Sequence, residues 1–558
     1  MDRTLLVGLD AACWEYLDPL LQAGQLPNLG ELIGRGVRGV LRSTVPPWTP
    51  TAWATIVTGK NPGKHGVFDM LRRRPRSYEF TPTSALHRLG TPFWKRLNDS
   101  GVRVGLVNVP FTYPPNSIEG FMLCGFGSPE SARNLAYPAE ALGWVEDTFG
   151  PYKPVVAADV LRNGQPAEIL AAEIGHQAQL VKIAAELAEK FAVDVLAINL
   201  MLTDHANHKM PHMHEVQAAY RQSDAHLAVL LEAFRPDNVM LISDHGSSRT
   251  QGDFLLGMWL RDQGYCVQQA KSAAQQSASL HWILTHWADY KGWSGVPKKV
   301  LRRIIREGLP KLPQGVQKRF WAKIEASLPF AQQHMLQSNQ PDYSLTRVFP
   351  GSLYSGLIYF NVVGREPTGV IAADERSALS TELAGKLSEI QEPHGGKRLL
   401  SNVFNSAELY QGPATEQAPD LIVDGYLSGW NIRTRQPAPH VGRRHGHYFV
   451  TDAGRREFGW HSPDGVLVFA GSAFRTGKGQ NSYQLIDVPA TLLHLYGVPL
   501  PLDYDGHALL ELLSPQLSQR TPRYQPGDAD IASAGSDDYS PQESDLVTAH
   551  LRALGYLD

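Results

Sequence analysis

Cysteine is nearly absent: three in 558 residues, Cys13, Cys124 and Cys266, which excludes a disulfide framework and a structural zinc site built from four thiolates. A reducing, cytoplasmic setting fits that scarcity. Long apolar runs are missing too. None approaches the ~20 residues a membrane-spanning helix needs, so the chain reads as soluble or at most peripheral. The opening Met-Asp-Arg-Thr-Leu-Leu-Val-Gly-Leu-Asp is too short in its apolar run and wrongly charged for a secretory signal, and reads as a first buried strand. Charge of one sign is not in excess either. The 52 Lys+Arg against 55 Asp+Glu leave −3, so no bulk nucleic-acid binding is expected. No internal repeat occurs. What is there, 43% apolar and 19% charged residues, describes an ordered globular protein of one large domain with insertions, or of two to three domains.

Short apolar runs alternate with helix-like segments, the pattern of an α/β fold with a mostly parallel central sheet and helices on both faces. The runs are Leu5 to Leu9, Val104 to Val109, Asp194 to Leu200, Val239 to Ser243 and Val466 to Ala470. Asp10 follows the first, Thr203-Asp204-His205 the third and Asp244-His245 the fourth. Ligands of open α/β sheets bind at the carboxyl ends of strands, so three such coincidences outline a site.

Residues 1–270 and 346–514 read as two parts of one catalytic body. Between them, 271–345 reads as an inserted helical cap, basic and rich in tryptophan (Trp282, Trp287, Trp293, Trp321). From Lys291 to Glu325 ten Lys/Arg face two Glu, a local +8 that leaves the remainder near −11. This insert, 291–325, has two readings: a lid that grips an anionic substrate or rests on an anionic membrane surface, or a helical cap with a solvated cationic face. Residues 515–558 are polar and rich in Pro, Ser and Asp. They read as a surface tail ending in a short docked helix over Leu546 to Leu557.

Asp204 and His208 stand four apart, so a helical turn places both on one face, where a carboxylate and an imidazole suit zinc or manganese. Asp244-His245-Gly246 and Asp10 each have a plain alternative, a surface turn and a helix N-cap. In Thr44 to Gly66 a hydroxyl, Thr49, precedes an apolar helical stretch. Its helix N-terminus would favour phosphate. Equally, Thr49 could cap that helix, with Pro50 at the first helical position. A threonine hydroxyl needs a base or a metal to become a nucleophile, and a metal held by Asp10, Asp244 and His245 would serve.

The ordered set Leu-Asp10, Thr49-Pro-Thr-Ala-Trp-Ala-Thr-Ile-Val-Thr-Gly-Lys-Asn-Pro-Gly-Lys-His-Gly, Asp204 to His208, Ser-Asp244-His245-Gly and Gly-Trp-His461-Ser-Pro-Asp-Gly resembles the alkaline phosphatase superfamily. Its closest branch is the type I phosphodiesterase/nucleotide pyrophosphatase-like group and its bacterial and archaeal phosphohydrolase relatives. Asp487-Val-Pro-Ala-Thr, Asp505-Gly506 and the closing Leu-Arg-Ala-Leu-Gly-Tyr-Leu extend the likeness over nearly the whole chain, apart from the insert and the tail. The resemblance implies an alkaline phosphatase-like core and two divalent metal sites, zinc by default with manganese acceptable. One would be built from Asp10, Thr49, Asp244 and His245, the other from Asp204, His208 and His461. It implies Thr49 as nucleophile, a phosphothreonine intermediate, and two cations about 4 Å apart. His440, His445 and His447 lie just upstream of His461, but His461 sits in the stretch that matches.

Two departures matter. The nucleotide pyrophosphatases carry Asn three residues after the nucleophile, where Ala52 stands here, and no Lys or Arg marks the strand end around Asn108. That lack favours a phosphodiester or pyrophosphate substrate over a monoester, with Asn108, Lys64 and Arg443 as candidate substrate contacts. Thr49 also argues against sulfatases and the phosphoglycerate-mutase branch. A phosphomonoesterase or phosphotransferase with the same metals, and a silent metal-binding relative, are the alternatives. Oligomeric state is not legible.

Overall fold

The structure, a computed structural model, describes residues 2–130, 132–269, 313, 341–351, 356–393, 395–434, 443–445, 448–451, 458–528, 539–554 and 556. Of the cap expected at 271–345 only residues 313 and 341–345 are described, so its basic, tryptophan-rich helical character lies outside the described residues, as do His440 and His447.

The elements that position the site are, in chain order, strands β1 (Thr4–Leu9), β2 (Gly36–Arg42), β3 (Val104–Val109), β4 (Gly120–Cys124), β5 (Ala136–Tyr137), β6 (Val195–Leu200), β7 (Asn238–Ile242), β8 (Gly246–Arg249), β9 (Asn402–Asn405), β10 (Leu421–Asp424), β11 (Trp430–Arg433), β12 (Gly459–Ser462), β13 (Asp464–Gly471) and β14 (Gly477–Gln484). The helices are α1 (Thr49–Thr58), α2 (Pro166–Lys190), α3 (Leu202–Lys209), α4 (Met213–Phe234), α5 (Asp487–Leu495) and α6 (Pro541–Leu554). Nine strands form the main sheet in the order β14-β2-β13-β7-β1-β6-β3-β4-β5. β7, β1, β6, β3 and β4 run parallel, whereas β13 lies antiparallel between β2 and β7 and β5 lies antiparallel at the edge.

Alternation along the strands divides the core. Leu5, Val7, Leu196, Ile198, Val239 and Leu241 pack under α2 and α4 on one face. Leu6, Val104, Leu106, Val195, Ala197, Met240 and Ile242 pack under α1 and α5 on the other. Every β1, β3 and β6 residue is buried, which is why these runs read as continuously apolar rather than alternating. A second body, with its own apolar cluster, is built on two four-stranded sheets that include β9, β10 and β11.

Parts of 515–558, expected as a surface tail, are tied to the body. Asp528 pairs with Lys60 (2.7 Å) and Arg96 (2.7 Å). α6 begins at Pro541 and buries Val547, Leu551 and Leu554 against the core. No described helix is long and apolar enough to cross a membrane.

Gly8, in the middle of β1, has no room for a side chain. A Cβ there would stand 2.3 Å from Asn199 Oδ1 and 2.6 Å from the Trp53 ring. Gly8→Ala is expected to lower stability by about 1–3 kcal/mol, the usual cost of overpacking, read as a shifted denaturant midpoint. An unchanged midpoint would contradict the tight strand-to-helix contact.

Candidate active site

The carboxyl ends of β1, β6 and β7 deliver the acidic residues side by side. Asp10 is the first residue past β1, and the chain turns at once through Ala11, whose φ of 57° lies in the left-handed region. The turn is held by Thr203 Oγ1, which donates to the Asp10 carbonyl (2.6 Å), and by Ser247 Oγ, which donates to that of Ala11 (2.5 Å). Asp10 is therefore no helix cap. Its side chain is fully buried and accepts from Asn199 Nδ2 (2.8 Å). Asp244 and His245 are no surface turn either, being 1% and 0% exposed. Gly246 must follow them, because a Cβ there would come within 2.1 Å of the Asp464 carbonyl oxygen.

Asp204 and His208 do share a face of α3, with His208 Nε2 3.2 Å from Asp204 Oδ1. His461 arrives from far along the chain because β12 pairs antiparallel with β8, placing it opposite Ser247. Its Nε2 lies 3.0 Å from His208 Nε2 and 3.6 Å from Asp204 Oδ1, and its ring stacks on His245 at 3.8 Å. Two imidazoles are oriented by backbone carbonyls: Nδ1 of His461 is 2.9 Å from Pro47 O and Nδ1 of His245 is 3.1 Å from Gly246 O. With each Nδ1–H donating there, each Nε2 turns its lone pair to the cluster, the outer support a ligating histidine uses.

Helix α1 starts at Thr49 itself, with Trp48 as its cap residue and Pro50 second, not first. Thr49 is thus not a side-chain cap. Its buried Oγ1 points to His245 Nε2 at 3.2 Å, and the positive end of α1 faces the same place.

The electrostatics describe a site short of positive charge. Burial, then the charges of Asp244 and Asp204, raise the Asp10 carboxyl well above its ordinary range. Burial and Asp204 push Asp244 up to about 7. Burial would raise Asp204 as well, but His208 and then His461 outweigh it and hold it low. Burial and His245 keep His461 neutral to well below its usual range. Asp10 Oδ1 and Asp244 Oδ2 are buried without hydrogen-bond partners, and buried Asp204 Oδ1 has imidazoles alone beside it. Donor atoms of Asp10, Asp244 and His245, and of Asp204, His245 and His461, fall within 4.8 Å of one another in each group. These residues fit divalent cations: orphaned carboxylate oxygens, oriented imidazoles and no described Lys or Arg ion pair on Asp10, Asp204 or Asp244. His245 contributes to both groups, whereas the sequence assigned it to the first alone.

The three expected substrate contacts fare differently. Asn108, at φ 54°, donates to the Asn199 carbonyl (3.0 Å), so it braces the residue that holds Asp10. Lys64 Nζ is engaged elsewhere, by the Asp503 carbonyl (2.9 Å) and the Asp505 carboxylate, and no described contact joins it to the cluster. Arg443 lies on a strand paired with Phe449–Thr451, and its side chain is outside the described residues.

Two residues escaped sequence reasoning. Asn199 was visible as the lone polar residue inside Ala-Ile-Asn-Leu. Tyr556 stood in the closing Gly-Tyr-Leu, with nothing to say where it folds. It is buried, donates its hydroxyl to Asp204 Oδ2 and sets its ring 5.1 Å from that of His208. Burial and the Asp204 charge keep the phenol protonated.

This fold, and a buried carboxylate–imidazole centre at its strand ends, define an alkaline phosphatase-like enzyme. Residues 4–434 match the family described as type I phosphodiesterase / nucleotide pyrophosphatase, and the chain belongs to that family of metal-dependent phosphoric-ester hydrolases. Phosphonoacetate hydrolase from Sinorhizobium meliloti 1021 shares the fold. Its phosphonoformate complex gives a TM-score of 0.52 at 15% identity, over 88% of this chain and 94% of that one. Its phosphonoacetate complex gives 0.51 at 13%, over the same 88% and 94%. Human ectonucleotide pyrophosphatase / phosphodiesterase 5 gives 0.46 at 13%, over 92% and 100%. Comparison with curated proteins gives no match.

Two outcomes test the centre. Because the folded Asp244 carboxyl binds its proton up to about 7 against 3.8 unfolded, its protonated form contributes stability that is complete below the unfolded value and lost as pH rises through the folded one. In chelator, wild type should therefore lose stability relative to Asp244→Asn between pH ~4 and ~8, and added metal should reverse the order. A pH-independent difference would contradict it. Tyr556→Phe should weaken divalent-metal affinity by ~10–100-fold, the range for an outer partner of a ligand, measured by calorimetric titration. Unaltered affinity would make the tyrosine a packing residue only.

Proposed function

We propose that the protein hydrolyses phosphodiesters or nucleotide-type pyrophosphates with Thr49 as nucleophile, through a phosphothreonine intermediate, using two divalent cations. The observation that carries this reading is the Thr49 hydroxyl, buried at the head of α1 and 3.2 Å from His245 Nε2, beside both candidate metal groups. Bound divalent cations would neutralise phosphoryl oxygens and make the hydroxyl acidic. The chain's own residues do the rest. Thr49 Oγ attacks phosphorus, its backbone at the first turn of α1 fixes the direction of attack, and the helix's positive end lowers the energy of the anionic phosphoryl group. The P–O bond to one alcohol or phosphate breaks as the Thr49 O–P bond forms, the other ester arm stays on the threonine-bound phosphorus, and water then attacks that phosphorus, which frees the Thr49 hydroxyl and releases a phosphate monoester. Zinc suits the His and Asp ligands, and manganese would accept them.

Preference for a diester rests on the absence of lysine or arginine from the described contacts of Asp10, Asp204 and Asp244, since a monoester brings more negative charge to the same place. A reducing, cytoplasmic location is part of the proposal, supported by three cysteines that are all free and buried.

Thr49→Ala should cut turnover of bis(4-nitrophenyl) phosphate by at least about a thousandfold, as loss of a nucleophile does, while metal content stays unchanged. Rapid quench of wild type should trap a 4-nitrophenyl phosphoryl group on Thr49, one aryl arm having left. Full activity in the variant would refute the nucleophile. A monoester turned over faster than the diester would refute the substrate class.

A further inference from the structure

Helix α3, which carries Asp204 and His208, is only 8 residues long, and all of them are buried. A helix so short does not hold itself, since isolated ones below ~12–15 residues are marginal in water. Nor can apolar packing alone orient it, because Leu202 and Ala206 are its only apolar residues. Its orientation must come from polar contacts, above all at its ends, where the first N–H and last C=O groups have no partner within the helix.

At the first turn, α2 grips α3 through two residues one helical turn apart. Gln177 Oε1 accepts from the Leu202 backbone N–H (3.1 Å), and Glu173 Oε1 lies 2.8 Å from His205 Nδ1. Both side chains are buried, and Gln177 is itself steadied by α4, its Nε2 standing 3.2 Å from Ser223 Oγ and 2.9 Å from His226 Nδ1. At the other end Arg249 gathers carbonyls: its guanidinium donates to those of Asn207 (3.4 Å), Met210 (3.1 Å) and Pro211 (2.8 Å). The carbonyl of His208 accepts from the backbone N–H of Phe458, the residue before β12 (2.8 Å). These anchors belong to the strand pair that builds the rest of the centre. Arg249 closes β8, which begins directly after Asp244 and His245, and it pairs with Gly459 of β12, the strand of His461. A Cβ on Gly459 would stand 2.3 Å from Asn207 Oδ1, so β12 lies against α3 with no side chain between.

We propose that Gln177, Glu173 and Arg249 are positioning residues for the divalent cation that Asp204 and His208 would hold. They act through α3. Gln177 fixes the helix along its axis, Glu173 fixes its rotation through His205, and Arg249 ties its far end to the strand that follows Asp244 and His245, so the two cation groups keep one separation. The proposal rests on the two-cation reading and deepens it.

The test is calorimetric titration of the full chain, stripped of metal, with manganese. Gln177→Met, Glu173→Met and Arg249→Met, which keep an unbranched side chain but remove its polar end, should each weaken the cation of α3 by ~10–100-fold, the range for outer partners of ligands. Glu173→Gln, which keeps an oxygen toward His205, should bind as wild type does. A merely structural role would lower affinity whatever α3 carries, so the substitutions are repeated in His208→Ala. There, with the positioned ligand gone, they should change the remaining affinity by less than about twofold. Equal losses in both backgrounds, or wild-type affinity in all three methionine variants, would overturn the grip. Uptake of one cation or none by wild type defeats the two-cation reading instead, and amide exchange in chelator then decides. Gln177→Met and Arg249→Met should speed exchange over residues 202–209 at least about tenfold while β1 and β7 keep their protection. Unchanged exchange over 202–209, or equal acceleration everywhere, would overturn the proposal.

Discussion

Mutual repulsion among Asp10, Asp204 and Asp244 is the constraint around which the rest is arranged. Three carboxylates are held out of water in one place, and what they gain from their neighbours is one amide donor on Asp10, backbone contacts on Asp244, and imidazoles and the Tyr556 hydroxyl on Asp204. Burial of like charges is tolerable only if protons or cations neutralise them. The raised Asp10 and Asp244 carboxyls show the first solution, and the Nε2 lone pairs of His245 and His461, turned to the cluster by the carbonyls that hold each Nδ1, prepare the second. A parallel sheet supplies the rigidity: β1, β6 and β7 end in register, so their terminal residues cannot relax apart without breaking the ladder.

Around this centre the chain places supports rather than further charges. Asn199 holds Asp10, Asn108 braces Asn199, Tyr556 donates to Asp204, and carbonyls of Pro47 and Gly246 hold the two imidazoles. Each is neutral. Positive side chains near the nucleophile in sequence are turned elsewhere, Arg42 to Asp464, Lys60 to Asp503 and Asp528, and Lys64 to Asp505. The protein thus keeps its fixed cations out of the place where mobile ones bind.

What the sequence made legible follows from how local the signals are. The strands at Leu5, Val104, Val195 and Val239 were readable because parallel, doubly covered strands are continuously apolar, and the antiparallel one at Val466 because it too is buried along its length. The i, i+4 spacing of Asp204 and His208 was readable because a single helical turn suffices to bring them together. Tyr556 and the grip on α3 were not, since Gln177 and Arg249 meet that helix only through the tertiary fold and no spacing announces them. Lys64 misled for the same reason: its nearness to Thr49 in sequence says nothing about Asp505, which reaches it from the other end of the chain. The insert of Lys291 to Glu325 lies outside the described residues.

The long reach of His461 has a kinetic meaning. Its pairing with β8, and so with residues brought in by β1 and α3, joins stretches more than two hundred positions apart. The sheet is closed by contacts just as distant, β1 with β7 and β2 with β13, and such non-local pairing makes folding slow. The centre is therefore assembled by the same closures that build the sheet, and none of its parts exists in a local stretch of unfolded chain. A cation bound by the native molecule alone would for that reason add to its stability by mass action, and a chelator would remove that share.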